Sequence, residues 1–427
     1  MRALYTVLLY LLVPFVLLRL LWRGLALRDY WCRWSERFGF VAPPPQEVAV
    51  WVHAVSVGES LAALPLIRAL IARHGKGRVL VTTMTPTGSA RVRESLGDAV
   101  LHTYVPYDLP DAVARFIARM RPRQVVVMET ELWPNLFRAL ARRGIPLTIA
   151  NARLSPRSFR GYSRLRNAIR GVLADCTQIA AQSEADAQRF RELGAAPSRV
   201  SVMGNIKFDM ALPETQIAQG RAMRETGGGR WQTWIAASTH EGEEEVALAA
   251  HREILKTLPD AQLILVPRHP QRFDAVARLI EKSGLGYTRR SALTAGVSDS
   301  AAPVLLGDSM GEMFLYYAMS NVAFVGGSLV PVGGHNVLEP AALSLPVLFG
   351  MHMHNFVAAR DLLLQSGAAE QVETAVALAP AVLGLLQDAQ RARGMGAAGA
   401  RAVAANRGAL ARLLALIEAC ESASSSA

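Results

Sequence analysis

The stretch VAVWVHAVSVGES, residues 48–60, runs from an unbroken apolar segment into a glycine turn and an acidic helix start. An apolar run with no alternating polar face reads as a strand covered on both sides, which belongs to a parallel sheet with crossover helices. The same succession recurs outward from it. RVLVTTM (78–84), QVVVME (124–129), PLTIANA (146–152), QIAAQ (178–182) and VSVMGN (200–205) read as strands, and stretches such as 59–73 and 108–121 carry helical spacing. Beyond residue 230 the pattern starts again with WIAAS (234–238), AQLILVP (261–267), PVLLGD (303–308), NVAFVGG (321–327) and PVLFG (346–350). The chain therefore divides into an anchor and interfacial segment at 1–40, an α/β domain at 41–210, a linker at 211–230 holding Gly227-Gly228-Gly229, a second α/β domain at 231–375 and a helical tail at 376–427. Two doubly wound domains facing across a cleft suit a ligand held between their strand ends.

The chain has 427 residues, more than one typical domain, and its 51% hydrophobic and 19% charged content excludes bulk disorder. The net charge of +11 is uneven: residues 1–209 hold 29 Lys and Arg against 15 Asp and Glu, whereas the remainder is slightly acidic. The first half thus expects an anionic partner, which means a membrane surface, a phosphorylated substrate or nucleic acid. Nucleic acid is disfavoured because no aromatic stacking pattern is interleaved with the basic residues outside the N-terminal segment. Cys32, Cys176 and Cys420 form no CxxC pair, so a zinc ribbon or disulfide framework is not expected. Neither G-x-G-x-x-G after the first strand nor G-x-x-x-x-G-K-[ST] occurs, which argues against a dinucleotide cofactor and against P-loop ATP chemistry.

Leu4 to Leu18 is almost continuously apolar, and RLLWRGLALRDYWCRW (19–34) mixes Arg with Trp, Tyr and Leu, the composition of an interfacial anchor on an anionic leaflet. There is no A-x-A cleavage site, and the basic flank lies on the wrong side of the apolar run for a signal peptide. The Arg-rich flank places the bulk of the chain in the cytoplasm. A full span and a monotopic insertion both remain open. Because this segment lies apart in sequence from every motif below, its removal is expected to release the protein from membranes and spare turnover in detergent.

Polar residues gather where strands end. Gly58 permits a tight turn, and Glu59, in a first helical turn, is expected to be ionised by the helix dipole and competent as a base, or simply to be a helix-start carboxylate. Glu129 and Glu131 emerge beside Trp133 and Pro134, and Asn151 and Arg153 follow the next strand as a candidate anion contact. Lys207, from a chain with few lysines, stands at another strand end, where it can neutralise a developing phosphate charge. In the second half Thr239 with the acidic residues after it reads as a helix cap or a phosphate site. Arg268 between prolines, the turn Gly307–Met313 and the glycine-rich stretch 326–340 complete a set of strand-to-helix turns suited to a nucleotide.

HAVSVGES (53–60), METELWPN (128–135), NARLS (151–155), GNIKFD (204–209), STHEGEE (238–244), PRHP (267–270), GDSMGEM (307–313) and FVGGSLVPVGGHNVLEPAA (324–342) together resemble the motif series of the 3-deoxy-D-manno-octulosonic acid (Kdo) transferases of Gram-negative bacteria, in family order. The resemblance implies a GT-B glycosyltransferase of lipopolysaccharide biosynthesis, with two Rossmann-like domains, that moves Kdo from CMP-Kdo to the lipid A precursor. It implies inversion, no metal and no further cofactor, on the cytoplasmic side of the cell inner membrane. It makes Glu59 the general base and has Glu129 and Lys207 stabilise the transition state. It has Arg268, His269, Ser309, Met310, Gly311, Asn336, Val337, Leu338 and Glu339 bind CMP. The alternatives are another GT-B enzyme using a different nucleotide sugar, and an inactive scaffold of the same fold.

Overall fold

A computed structural model describes residues 2–226, 232–293 and 302–425. The chain forms two compact units, residues 1–209 with 407–427 and residues 210–406. The first unit holds one sheet: β1 (Val50–His53), β2 (Val79–Thr83), β3 (Leu101–Tyr104), β4 (Gln124–Met128), β5 (Leu147–Ala152), β6 (Gln178–Ala181) and β7 (Val200–Val202). Their order is β3-β2-β1-β4-β5-β6-β7, all parallel. The second unit repeats the plan with β8 (Thr233–Thr239), β9 (Gln262–Pro267), β10 (Tyr287–Arg289), β11 (Val304–Leu306), β12 (Val322–Val325), β13 (Val347–Phe349) and β14 (Ala369–Gln371). Their order is β10-β11-β9-β8-β12-β13-β14, again all parallel. Each unit is thus a Rossmann-like doubly wound sheet. The central strands are buried on both faces, as in β1, where Val50, Trp51 and Val52 are all shielded. Strand order reverses between β1 and β4 in one unit and between β8 and β12 in the other, and such a reversal opens a crevice at the strand C-termini.

Two boundary expectations are corrected. Residues 214–226, expected as linker, form the helix Glu214–Thr226, which packs on the helix Met313–Met319 inside the second unit. Its Gly220 lies so close to the Leu315 carbonyl that a Cβ would come to 2.3 Å, so this glycine serves helix packing. The triplet Gly227-Gly228-Gly229 lies outside the described residues. The expected tail is divided: the helices Leu378–Gln387 and Ala389–Ala405 belong to the second unit, and the helix Ala409–Ser425 returns to the first. There it buries Ala409, Leu413, Ile417 and Cys420, one stripe of an amphipathic helix.

At the N-terminus the helix Arg2–Ala26 carries a stretch, Arg2–Leu25, long and apolar enough to cross a membrane. The segment after it is less of a lipid interface than its composition suggests. Arg33 donates to Ser89 and to the His102 carbonyl, Arg37 is buried and donates to the Met84 carbonyl, and both guanidinium groups stack on Tyr104. These two arginines belong to the first unit's fold.

Candidate functional site

In the first unit, the turns after β1 and β4 flank the reversal point, and three carboxylates gather there. Ser56 caps the helix Val57–His74, accepting the Glu59 N–H at 3.2 Å. In return Glu59 accepts the Ser56 hydroxyl at 2.9 Å and the Val55 N–H at 2.8 Å. The helix-start role of Glu59 is therefore real. The expected help from the helix dipole is opposed: burial raises the Glu59 pKa first, the Val55 N–H pulls it down, and the Glu129 charge raises it further. Glu131 is pushed up to about 7, by burial first and then by Glu59, with the Trp133 indole pulling the other way.

Glu129 leaves β4 in a left-handed conformation, φ 58°, as does Asn151 at φ 53° on the neighbouring β5. Non-glycine residues adopt that region at a cost of order 1 kcal/mol, tolerated where surroundings impose it. The imposed geometry brings Lys207 Nζ to 3.9 Å from the Glu129 carboxylate. Asn151, expected as an anion contact, is buried; its Oδ1 accepts the Ile206 N–H at 3.2 Å. Asn205 Oδ1 accepts the Lys207 N–H at 3.0 Å. Asn151 and Asn205 thus hold the short turn that presents Lys207, while Arg153 is exposed. Glu59, Glu129, Glu131 and Lys207 form one cluster, and Glu131 is the member that the expected catalytic set lacked.

In the second unit, the turns after β8 and β12 meet at the corresponding reversal. Ser238 is left-handed at φ 56° as β8 ends. Glu243, fully buried, accepts N–H groups from His240 at 3.0 Å, Gly327 at 2.6 Å, Ser328 at 3.0 Å and Leu329 at 2.9 Å. The acidic run after Thr239, read as a local cap, thus includes the residue that folds the glycine loop. Capping falls instead to Gly242 with Glu245. Gly327, φ 66°, lies under the His335 ring, where a Cβ would come to 3.0 Å, so a side chain here would push the ring aside. His335 meets His240 Nε2 to Nε2 at 2.8 Å, and His269 stands edge-on to His240 with centroids 5.3 Å apart. Arg268 lies close enough to depress both His240 and His335, and its backbone N–H is fixed to the Thr239 carbonyl at 2.9 Å. Among the described residues, no protein hydrogen bond or ion pair occupies the Arg268 side chain.

The other expected donor residues divide. Asn336 accepts the Leu338 N–H at 3.1 Å and donates to Glu339 at 3.0 Å, so this pair is built together beside the imidazoles. Val337 and Leu338 are buried, which leaves only their main chain to reach a ligand. Ser309 bonds Glu312 and Tyr316, Arg290 holds Glu312 at 2.8 Å, and Gln216 donates to the Gly311 carbonyl at 2.9 Å. The Ser309–Gly311 turn, with Met310 exposed, is thus a second cluster beyond β9, with no hydrogen bond to the imidazole group among the described residues. His240, His335 and Glu243 join the Arg268–His269 cluster and are absent from the expected set. Among the described residues no group of three or more His, Cys, Asp or Glu is arranged to hold a metal ion.

The family model described as 3-Deoxy-D-manno-octulosonic-acid transferase (kdotransferase) matches residues 32–210. The 3-deoxy-D-manno-octulosonic acid transferase of Haemophilus influenzae is 42% identical, covering 98% of this chain and 98% of its own. Its namesake from Bordetella pertussis is 39% identical over 98% of this chain and 99% of its own. Among solved structures, a glycosyltransferase from Rickettsia africae shares the fold at a TM-score of 0.54 and 13% identity, covering 88% of this chain and 99% of that one.

Proposed function

The chain belongs to the 3-deoxy-D-manno-octulosonic acid transferase family, and from that premise we propose how its two polar clusters divide the work of glycosyl transfer. It is a glycosyltransferase of GT-B type that transfers Kdo. The donor is CMP-Kdo, bound in the second unit. Arg268, His269 and the one imidazole N–H that the His240–His335 contact leaves free hold its phosphate, and Glu339 accepts from ribose hydroxyls. The acceptor is the lipid A precursor, a phosphorylated lipid taken up by the basic first unit. Membrane attachment through the N-terminal helix, on the cytoplasmic side of the inner membrane, delivers it.

In the transfer step the Glu59 carboxylate takes the proton of the acceptor hydroxyl. The acceptor oxygen attacks the anomeric carbon of Kdo, and the bond to the CMP phosphate oxygen breaks with inversion. CMP leaves with the electron pair, its charge held by fixed N–H donors and a guanidinium rather than by a metal. Lys207 and Glu129 stabilise the charge that develops at the reacting centre.

The observation that carries this reading is the Glu59–Glu129–Lys207 cluster at the β1/β4 reversal, inside the family-matched residues 32–210. The test is a product mass spectrum from purified enzyme with CMP-Kdo and lipid acceptor. A gain of Kdo on the lipid supports it. Transfer from a UDP-sugar with CMP-Kdo left intact would overturn the donor assignment.

A further inference from the structure

The helix Arg2–Ala26 is apolar except for a few side chains, and those near its start share a face. Arg2, Tyr5, Thr6 and Tyr10 follow the three- and four-residue steps that stack along one side of a helix. Each has a partner in the first unit. Arg2 donates to Asp175 at 3.2 Å, Tyr5 to Asp108 at 3.0 Å and Tyr10 to Asp111 at 2.6 Å, while Asn135 donates to the Thr6 hydroxyl at 3.1 Å. The same face continues through Leu9, Val13, Leu17, Leu20 and Gly24, all shielded or half-shielded. Leu4, Leu11, Phe15, Leu18, Trp22 and Leu25 on the other side are exposed. Polar groups left in hydrocarbon without partners are costly. This helix instead has one side for lipid and one for protein.

The protein side ends on the carboxylate loop. Asp108, which follows β3, is buried and accepts the N–H of Asn135 at 3.0 Å and of Leu136 at 2.7 Å. These are first-turn donors of the helix Pro134–Ala141, which have no partner within their own helix. Asn135 Nδ2 also donates to the Asp108 carbonyl at 2.7 Å. Glu129, Glu131 and Trp133 lie immediately before this helix start. The N-terminal helix packs directly against Pro134–Ala141, so the two helices and the Asp108 turn form one body.

We infer that the Tyr5–Asp108 and Thr6–Asn135 contacts make the N-terminal helix a positioning element for the Glu129–Trp133 loop, so that seating this helix sets the carboxylates as well as the membrane attachment. Tyr5 and Thr6 are positioning residues; they act through Asp108 and Asn135. A helix with this role cannot be removed without loss of turnover, contrary to the expectation from its separation in sequence. The inference rests on the catalytic reading of the carboxylate cluster.

The test uses the full chain in detergent micelles with the double variant Tyr5→Phe, Thr6→Val. Both substitutions keep size and raise apolarity, so binding to vesicles should match wild type. Amide hydrogen exchange at residues 135 and 136 should quicken about tenfold as the Asp108 cap loosens. Transfer should show kcat lowered about tenfold with the donor KM within about twofold. Thr6→Val alone should show part of both effects, and Thr6→Ser, which keeps the hydroxyl, should restore wild-type values. Wild-type exchange and kcat in the double variant would overturn the inference, and so would a failure of Thr6→Ser to rescue. Loss of vesicle binding in parallel with kcat would also overturn it, by reducing the helix to an anchor. Unchanged exchange leaves the catalytic reading standing, whereas an active Glu59→Gln variant removes that reading without touching the exchange result.

Discussion

His240 and His335 meet through their Nε2 atoms at 2.8 Å. So short a contact needs a single proton between the two nitrogens, with one ring donating and the other accepting. Burial depresses both imidazoles, His335 to about 3, and Arg268 adds to the effect on each. The pair is neutral at physiological pH, and Arg268 brings the positive charge.

Arg268→Ala therefore has two expected consequences. Loss of a charge-assisted contact to phosphate costs about 1.5–3 kcal/mol, roughly tenfold to a hundredfold in donor affinity, with acceptor affinity unchanged. Removing the guanidinium also moves the His335 midpoint upward, readable by a proton NMR titration. Equal loss for donor and acceptor in calorimetry would show that Arg268 is not a donor-site residue.

Glu59→Gln retains the shape that accepts the Val55 N–H but cannot take a proton. Turnover should fall by about 10²–10⁴ with both substrates still bound. The helix-start role alone predicts a shifted melting temperature with turnover nearly intact. Both quantities measured on one sample separate the two roles. Turnover within threefold of wild type would pass the base role to Glu131 or Glu129.

Glu131 makes folding stability depend on pH. Its pKa is raised from 4.5 to about 7, so between those values the folded chain holds a proton that the unfolded chain releases. Stability from this group is full below pH 4.5 and falls as pH rises to 7. Glu131→Gln removes the dependence. It should leave stability little changed at low pH and raise it at pH 8 by about 1 kcal/mol, a figure reduced for solvent screening of a partly exposed group. Calorimetric melts at both pH values check this, and a stabilisation that shrinks as pH rises would contradict it.

Glu243→Gln strikes the scaffold of the glycine loop proposed to hold the donor. Replacing a buried carboxylate that gathers N–H groups from His240 and Gly327 to Leu329 leaves at least one of them facing an amide N–H. A loss of about 2–4 kcal/mol is expected. Donor affinity should fall at temperatures where the variant is still folded, and unaltered donor binding would show that the loop does not shape that site.

Much of this architecture is legible from apolar runs, and the misses have a common cause. β3, β10 and β14 carry no such run, and all three are sheet edges. Their sequences, LHTY, YTR and AEQ, lack the continuous apolar run of a strand buried between neighbours. Glu214–Thr226 was masked by the adjacent glycines and by Gly220, whose role is contact with a helix almost a hundred residues away. In the candidate site, Glu59, Glu129 and Lys207 stand out in the sequence as polar residues at strand ends. Glu243 did not, because its partners at 327–329 are brought to it only by the pairing of β8 with β12.

The helix Ala409–Ser425 has a bearing on synthesis. The second unit is one uninterrupted segment, residues 210–406, and can complete itself as soon as that segment leaves the ribosome. The first unit is made earlier but lacks its closing helix until residues 409–425 emerge, so the apolar face of its sheet that Leu413 and Ile417 cover stays open through translation of residues 210–406. The unit translated first is therefore the last to be finished, and in the interval its open face is where a chaperone or a misplaced strand would bind.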